Sequence, residues 1–237
     1  MDFEVCIDSV AGAKLAEKYG AKRVELCSAL SEGGLTPSPG MIEACAQATV
    51  NTAVFVMIRP RAGGFYYSPQ EINIMLRDIE AAKTLGADGV VFGCLDQRFQ
   101  VDITPNMVLL EKAFEQKLGT TFHRAIDLTP NPVKALEHLI HLGFDRVLSS
   151  GAQKKAIDGL KTLSDMKKQA KQEIEIMAGS GINENSVQDF IQEKLDAIHF
   201  TTHQVKPSSL KLDMGSQYLP DEIKIKKIQT ILQAHKI

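Results

Sequence analysis

Three observations predict a single α/β domain of the (β/α)8 TIM-barrel class. Short runs rich in Val and Ile alternate with longer segments of helical period. A helix-ending glycine followed by a new strand recurs before every second strand. The chain has 237 residues, a length that suits eight βα units closing into one barrel.

Strands are expected near 3–7, 23–27, 53–59, 89–93, 119–123, 146–149, 174–178 and 197–201. In each, β-branched or aromatic residues occupy alternate positions or continuous apolar runs. Helices are expected near 9–19, 38–48, 69–85, 104–117, 131–142, 154–171 and 184–193. Several are opened by Ser, Thr or Asp with a proline nearby, the pattern that helix starts prefer. A polar stretch with Pro207, Ser208, Ser209 and Gly215 reads as a mobile loop, and an amphipathic helix near 220–235 follows it. The whole chain, 1–237, reads as one domain, with the barrel over about 1–205 and the C-terminal loop and helix over 206–237.

The repeat runs through Tyr19-Gly20-Ala21-Lys22-Arg23-Val24, Leu85-Gly86-Ala87-Asp88-Gly89-Val90 and Leu142-Gly143-Phe144-Asp145-Arg146-Val147, with Lys194-Leu195-Asp196-Ala197-Ile198 as a weaker fourth copy. Its interval of roughly 50 to 65 residues matches quarter-barrel βαβα units. An open doubly wound sheet ranks second, because no Gly-x-Gly-x-x-Gly turn follows the first strand.

Composition narrows the function classes. The net charge of −2 offers nucleic acid or an acidic membrane no electrostatic attraction. No apolar stretch approaches the length of a membrane span, and no secretory leader opens the chain, so a cytoplasmic protein is expected. Four cysteines without CxxC spacing resemble neither a disulfide framework nor a zinc ribbon. Cys45 and Cys94 read as small core residues.

Chemistry concentrates where alternation turns polar side chains inward. Glu4-Val5-Cys6 and Glu25-Leu26-Cys27 each place a carboxylate and a thiol on one strand face. If Val54, Val56 and Ile58 face the helices, then Arg59 points inward; the same alternation turns Thr121, His123 and His199 inside. Five strands thus offer Glu4, Glu25, Arg59, His123 and His199 to one interior. Burying such charges costs several kcal/mol unless they are paired, so the ring is an ion network, a solvated pocket, or both. His123 begins His123-Arg124-Ala125-Ile126-Asp127, which delivers three chemically active residues at one strand end. Arg61, in a basic turn, and the glycine turns holding Ser150, Gly151, Gly179, Ser180 and Gly181 are candidate anion binders. His138, His141 and His235 read as solvated helix positions.

At Glu4-Val5-Cys6, Arg23-Val24-Glu25-Leu26-Cys27-Ser28, Ser31-Glu32-Gly33-Gly34-Leu35-Thr36-Pro37-Ser38, Ile58-Arg59-Pro60-Arg61, Thr121-Phe122-His123-Arg124-Ala125 and Arg146-Val147-Leu148-Ser149-Ser150-Gly151, the chain resembles the CutC copper-homeostasis family. That resemblance implies a (β/α)8 barrel, a cytosolic protein, a homodimer or larger homo-oligomer, and a role in copper tolerance through Cu(I) bound at the positions of Cys6 and Cys27. The chain departs from the family pattern at Phe200-Thr201-Thr202-His203 and at Ser180.

Two functions follow as expectations. Thiolates are soft ligands that favour Cu(I), and neighbouring strands lie close enough for two of them to share an ion. Alternatively, the chain is an enzyme for a small anionic or phosphorylated metabolite. Arg59, Arg61 or Arg124 and the glycine turns would hold the anion. Glu25 or Glu4 with His123 would exchange protons, and Asp127 and His199 would complete the site.

Overall fold

Strands β1 (Asp2–Ile7), β2 (Arg23–Leu26), β3 (Ala53–Met57), β4 (Gly89–Phe92), β5 (Gly119–Phe122), β6 (Arg146–Ser149), β7 (Glu175–Gly179) and β8 (Ala197–Thr201) pair in parallel, in chain order, and close by β8 against β1 in the computed structural model. Residues 1–206 and 217–235 are described. The seven intervening helices are α1 (Val10–Lys18), α2 (Pro39–Ala48), α3 (Pro69–Thr84), α4 (Ile103–Glu115), α5 (Pro132–Leu142), α6 (Leu160–Ala170) and α7 (Val187–Gln192); α8 (Glu222–Ala234) follows. The polar stretch expected to be a mobile loop lies outside the described residues.

The main core is the shell between barrel and helices. Outward residues Val5, Val24, Val54, Val56, Val90, Phe122 and Ile176 pack there with Ala13, Ile79, Leu109 and Leu136 of the helices. This arrangement leaves the alternate residues inside, where only two small apolar clusters form, around Phe55 and Met57 and around Leu148 and Met177.

Local chemistry starts the helices. Ser9, Ser38, Ser68 and Asn131 accept from backbone N–H groups of the first turns, and Pro39, Pro69 and Pro132 occupy initial helical positions. Two helices begin later than the sequence predicts. Residues before Leu160 form turns instead, and Gly159 packs so closely on Ser150 that a Cβ there would sit 2.1 Å from the Ser150 carbonyl oxygen. The helix expected from 184 begins at Val187, after a turn closed by Ser186 N–H donating to the Asn183 carbonyl. An antiparallel pair, β9 (His203–Lys206) with β10 (Gln217–Pro220), stands where the sequence indicates only loop.

The repeat has a structural cause. Asp88, Asp145 and Asp196 each accept the backbone N–H of a residue in the preceding strand: Val54, Thr120 and Ile176 respectively. Each aspartate stitches an odd strand to the next even one at the N-terminal mouth of the barrel. The glycine before it takes a left-handed turn at Gly86 and Gly143, with φ of 95° and 89°. In the fourth copy Lys194 adopts the same handedness at φ 55°.

Candidate functional site at the C-terminal mouth of the barrel

Inward residues stack in two levels. The lower one is an ion network. Glu175 accepts from Arg23 Nη2 at 3.0 Å and from Arg146 Nη2 at 2.6 Å, and Arg23 Nε reaches Glu4 Oε2 at 3.1 Å. Arg146 also donates to Thr121 Oγ1 at 3.0 Å and lies over the Phe55 ring at 5.2 Å. Arginines and carboxylates here satisfy one another, which makes their burial tolerable. Sequence reasoning missed Arg23, Arg146 and Glu175 as members of this network. Alternation from Val24, Val147 and Ile176, which face the helices, would have turned Arg23, Arg146 and Glu175 inward, but each stands at the start of its strand, below the strand ends on which the reading concentrated.

Above this level lies a cavity of about 380 Å³ lined by Cys6, Glu25, Cys27, Arg59, His123 and His199 among others. Its apolar wall is Leu30, Met57, Phe65, Leu128 and Leu148, contributed mostly by loops beyond the strand ends. Phe65 was also missed; nothing local in its turn distinguishes it from a surface aromatic.

Glu4 is fully buried beneath the cavity, and its Oε1 accepts from His199 Nδ1 at 2.8 Å. His199 Nε2 faces Glu25 Oε2 at 3.6 Å. The donor atoms of Cys6, Glu25 and Cys27 all lie within 4.8 Å of one another, as do those of Glu4, Glu25 and His199. Cys27 Sγ also lies 3.6 Å from Glu25 Oε2.

These groups set one another's protonation. Burial raises the Glu4 pKa, but His199, Arg23 and Arg146 outweigh it and hold the carboxyl at about 2. Burial and the neighbouring Cys6 and Glu4 charges, against an opposing pull from His199, raise Glu25 to about 8. A hydrogen bond from Cys27, with further help from His199, holds Cys6 at about 5 despite burial, while Cys27 is raised well above the ordinary thiol value by the same bond and by burial. Burial acts to lower His199, yet Glu25, Cys6 and Glu4 together hold it well above the usual imidazole value. The arrangement therefore favours a thiolate at Cys6 beside a charged His199.

His123 and Arg59 line the same cavity from the ends of β5 and β3. The Ala125 N–H donates to His123 Nδ1 at 3.3 Å, which puts the ring proton of the neutral imidazole on Nε2. Burial and the Arg59 charge lower its pKa to about 3. Arg59 gives its Nη groups to the carbonyls of Glu32, Gly34 and Gly63 at 2.8, 3.0 and 2.7 Å. Phe65 packs on both: its ring centroid is 4.6 Å from that of His123 and 5.0 Å from the Arg59 guanidinium carbon. Glycines make room for these side chains. A Cβ on Gly93 would lie 2.9 Å from the His123 ring, and one on Gly34 would lie 3.0 Å from Cys27 Sγ.

The expected anion binders are placed differently. Asp127 accepts the Ser150 N–H at 3.0 Å and the Ala152 N–H at 3.1 Å, and Gly151 N–H goes to Ser149 Oγ at 2.9 Å. The turn after β6 is thus filled by the chain's own carboxylate. Arg124, half-exposed at the rim, is bound to Asp127 at 2.9 Å and to Ser150 Oγ at 2.8 Å. Arg61 pairs with Glu71 and donates to the carbonyls of Gly64 and Tyr66, away from the cavity lining. Gly179 backs onto Leu148 and His199, Ser180 Oγ bonds the Lys154 carbonyl at 2.7 Å, and Gly181 lies against Lys155. The structure therefore does not gather Arg61, Ser180 and Gly181 with the cavity residues. Cys45 and Cys94 are buried in the outer core, where burial raises both thiols.

Known proteins share this arrangement of chain and fold. The CutC family model matches residues 1–204. A CutC family protein of Bacteroides thetaiotaomicron is 45% identical over 213 residues, covering 90% of this chain and 83% of the relative. A human copper homeostasis protein cutC homolog is 44% identical, covering 90% of this chain and 77% of the relative. The crystal structure of CutC from Streptococcus agalactiae superposes with a TM-score of 0.79 at 33% identity, covering 84% of this chain and 98% of that one. Among the described residues no helix is long and apolar enough to cross a membrane.

Proposed function

The chain belongs to the CutC family, and from that premise we propose that it binds Cu(I) at Cys6 and Cys27 in the floor of the barrel cavity. The observation that carries the reading is the convergence of the two thiol sulfurs and the Glu25 carboxyl within 4.8 Å of one another, among buried residues. The donor set suits the ion. Two thiolates are soft ligands, and the Met57 side chain packs in the same cluster as both cysteines. Val91 and Phe55 complete that cluster and keep it apolar. His199, oriented by Glu4, supplies positive charge beside Cys6 and favours its thiolate form. Glu25 then lies against the sulfurs as a carboxyl whose burial favours the neutral acid, which limits repulsion toward two thiolates. In this reading copper is cargo or regulated ion, consistent with the copper-homeostasis name of the human relative.

An anaerobic competition titration with a Cu(I) chelator tests the reading. Stoichiometric binding by the reduced protein, lost in Cys6→Ser with Cys27→Ser, is expected. Binding that survives the double substitution would place copper elsewhere and remove the assignment.

A further inference from the structure

The cavity also holds a set of groups that copper does not use. His123 Nε2 and Arg59 Nε are buried without any hydrogen-bond partner, and both residues line the cavity. Buried donors of this kind are costly to leave without an acceptor. Arg59 also carries charge, and its three partners are backbone carbonyls. Among the described residues no carboxylate lies within ion-pair distance of it. The other cavity arginine differs, since Arg124 is neutralised by Asp127.

We propose that His123 Nε2–H and the Arg59 guanidinium form a subsite for the carboxylate of a small apolar-bodied organic acid, whose hydrocarbon part lies against Phe65, Leu30 and Leu128. Two donors and one uncompensated positive charge match a carboxylate's two oxygens and single charge. A phosphate ester needs a richer cradle, and the backbone donors that would supply one after β6 already serve Asp127 and Ser149. The apolar wall and a volume of about 380 Å³ set the size of the acid. His123 acts here as a fixed neutral donor: its other nitrogen is occupied by Ala125, and Phe65 holds the ring plane. This subsite does not depend on copper binding, although it opens into the same cavity.

The test uses the full chain and 4-methylpentanoate as probe, with 4-methylpentanamide and inorganic phosphate as controls, by calorimetric titration. The acid is expected to bind with a dissociation constant of about 1 mM or tighter, and the amide roughly tenfold more weakly. His123→Phe keeps a ring against Phe65 but removes the donor, and should weaken acid binding by roughly tenfold. Cys6→Ser with Cys27→Ser should leave acid binding within about twofold while abolishing copper binding, so the two assignments fail separately. Equal affinity for acid and amide, wild-type affinity in His123→Phe, displacement by equimolar phosphate, or no saturable binding up to about 20 mM would each overturn the proposal. The comparison of acid with amide is made on the unmodified protein and so remains decisive if His123→Phe does not fold.

Discussion

Glu4 holds His199 by one oxygen and Arg23 by the other, at 2.8 and 3.1 Å, and so joins the ion network under the barrel to the thiol cluster above it. The carboxylate is fully buried, so these partners and the nearby Arg146 charge offset its desolvation.

Glu4→Gln is therefore expected to lower stability by about 3 kcal/mol. It should also lower the pKa of His199, because the Glu4 hydrogen bond and charge are among the groups that hold it up. Urea unfolding gives the first quantity and a histidine NMR titration the second. An unchanged His199 titration would show that Glu25 and Cys6 suffice to keep it charged.

Copper uptake at the thiol pair should release about one proton per ion near pH 7. Cys6, held at about 5 by its hydrogen bond from Cys27 and by His199, is already a thiolate there; Cys27, raised well above the ordinary thiol, still carries its proton. Calorimetry in two buffers of different ionisation enthalpy counts the protons. Release of none, or of two, would contradict the assigned states.

The sign of the acid response follows from His123. Its folded pKa is about 3, against an ordinary value of 6.5, through burial and the Arg59 charge. Between these values the unfolded chain binds the extra proton. The stability this group contributes is whole above pH 6.5 and is lost as pH falls toward about 3, by up to about 1.4 kcal/mol per pH unit. His123→Phe should flatten the stability profile across that window. Parallel profiles for the two proteins would mean that His123 takes up its proton at the same pH in the folded and the unfolded chain.

Gly89→Ala should destabilise the barrel by about 1–3 kcal/mol, because the added methyl would lie 2.3 Å from Phe55 Cε1. Phe55→Leu in the same chain should restore part of the loss, since the smaller side chain vacates that space. Thermal melts of the single and double variants check this, and absence of any rescue would point to a backbone cause.

The barrel and most of its interior were legible because strand alternation is local. Val54, Val56 and Ile58 face the helices, so Arg59 faces in; the same step placed Glu4, Glu25, His123 and His199 correctly around one interior. What the chain did not disclose lies at long range. Asp127 meets the turn at Ser150 across more than twenty positions of sequence, and no local pattern announces that its carboxylate will consume those backbone donors. Arg61 looked like an anion ligand for the same reason: its pairing with Glu71 depends on where the turn after β3 leads. The β9–β10 pair was hidden because its few residues carry no alternation long enough to read.

Asp127 also bears on which solutes the cavity can answer to. A dissolved anion that seeks the Ser150 and Ala152 N–H groups meets a rival tethered to the same chain, for which binding is intramolecular. The turn is in this sense closed to a dissolved anion by the chain's own carboxylate. One covalently attached carboxylate thus fills the turn, and the Gly151 N–H beside it is spent on Ser149 Oγ.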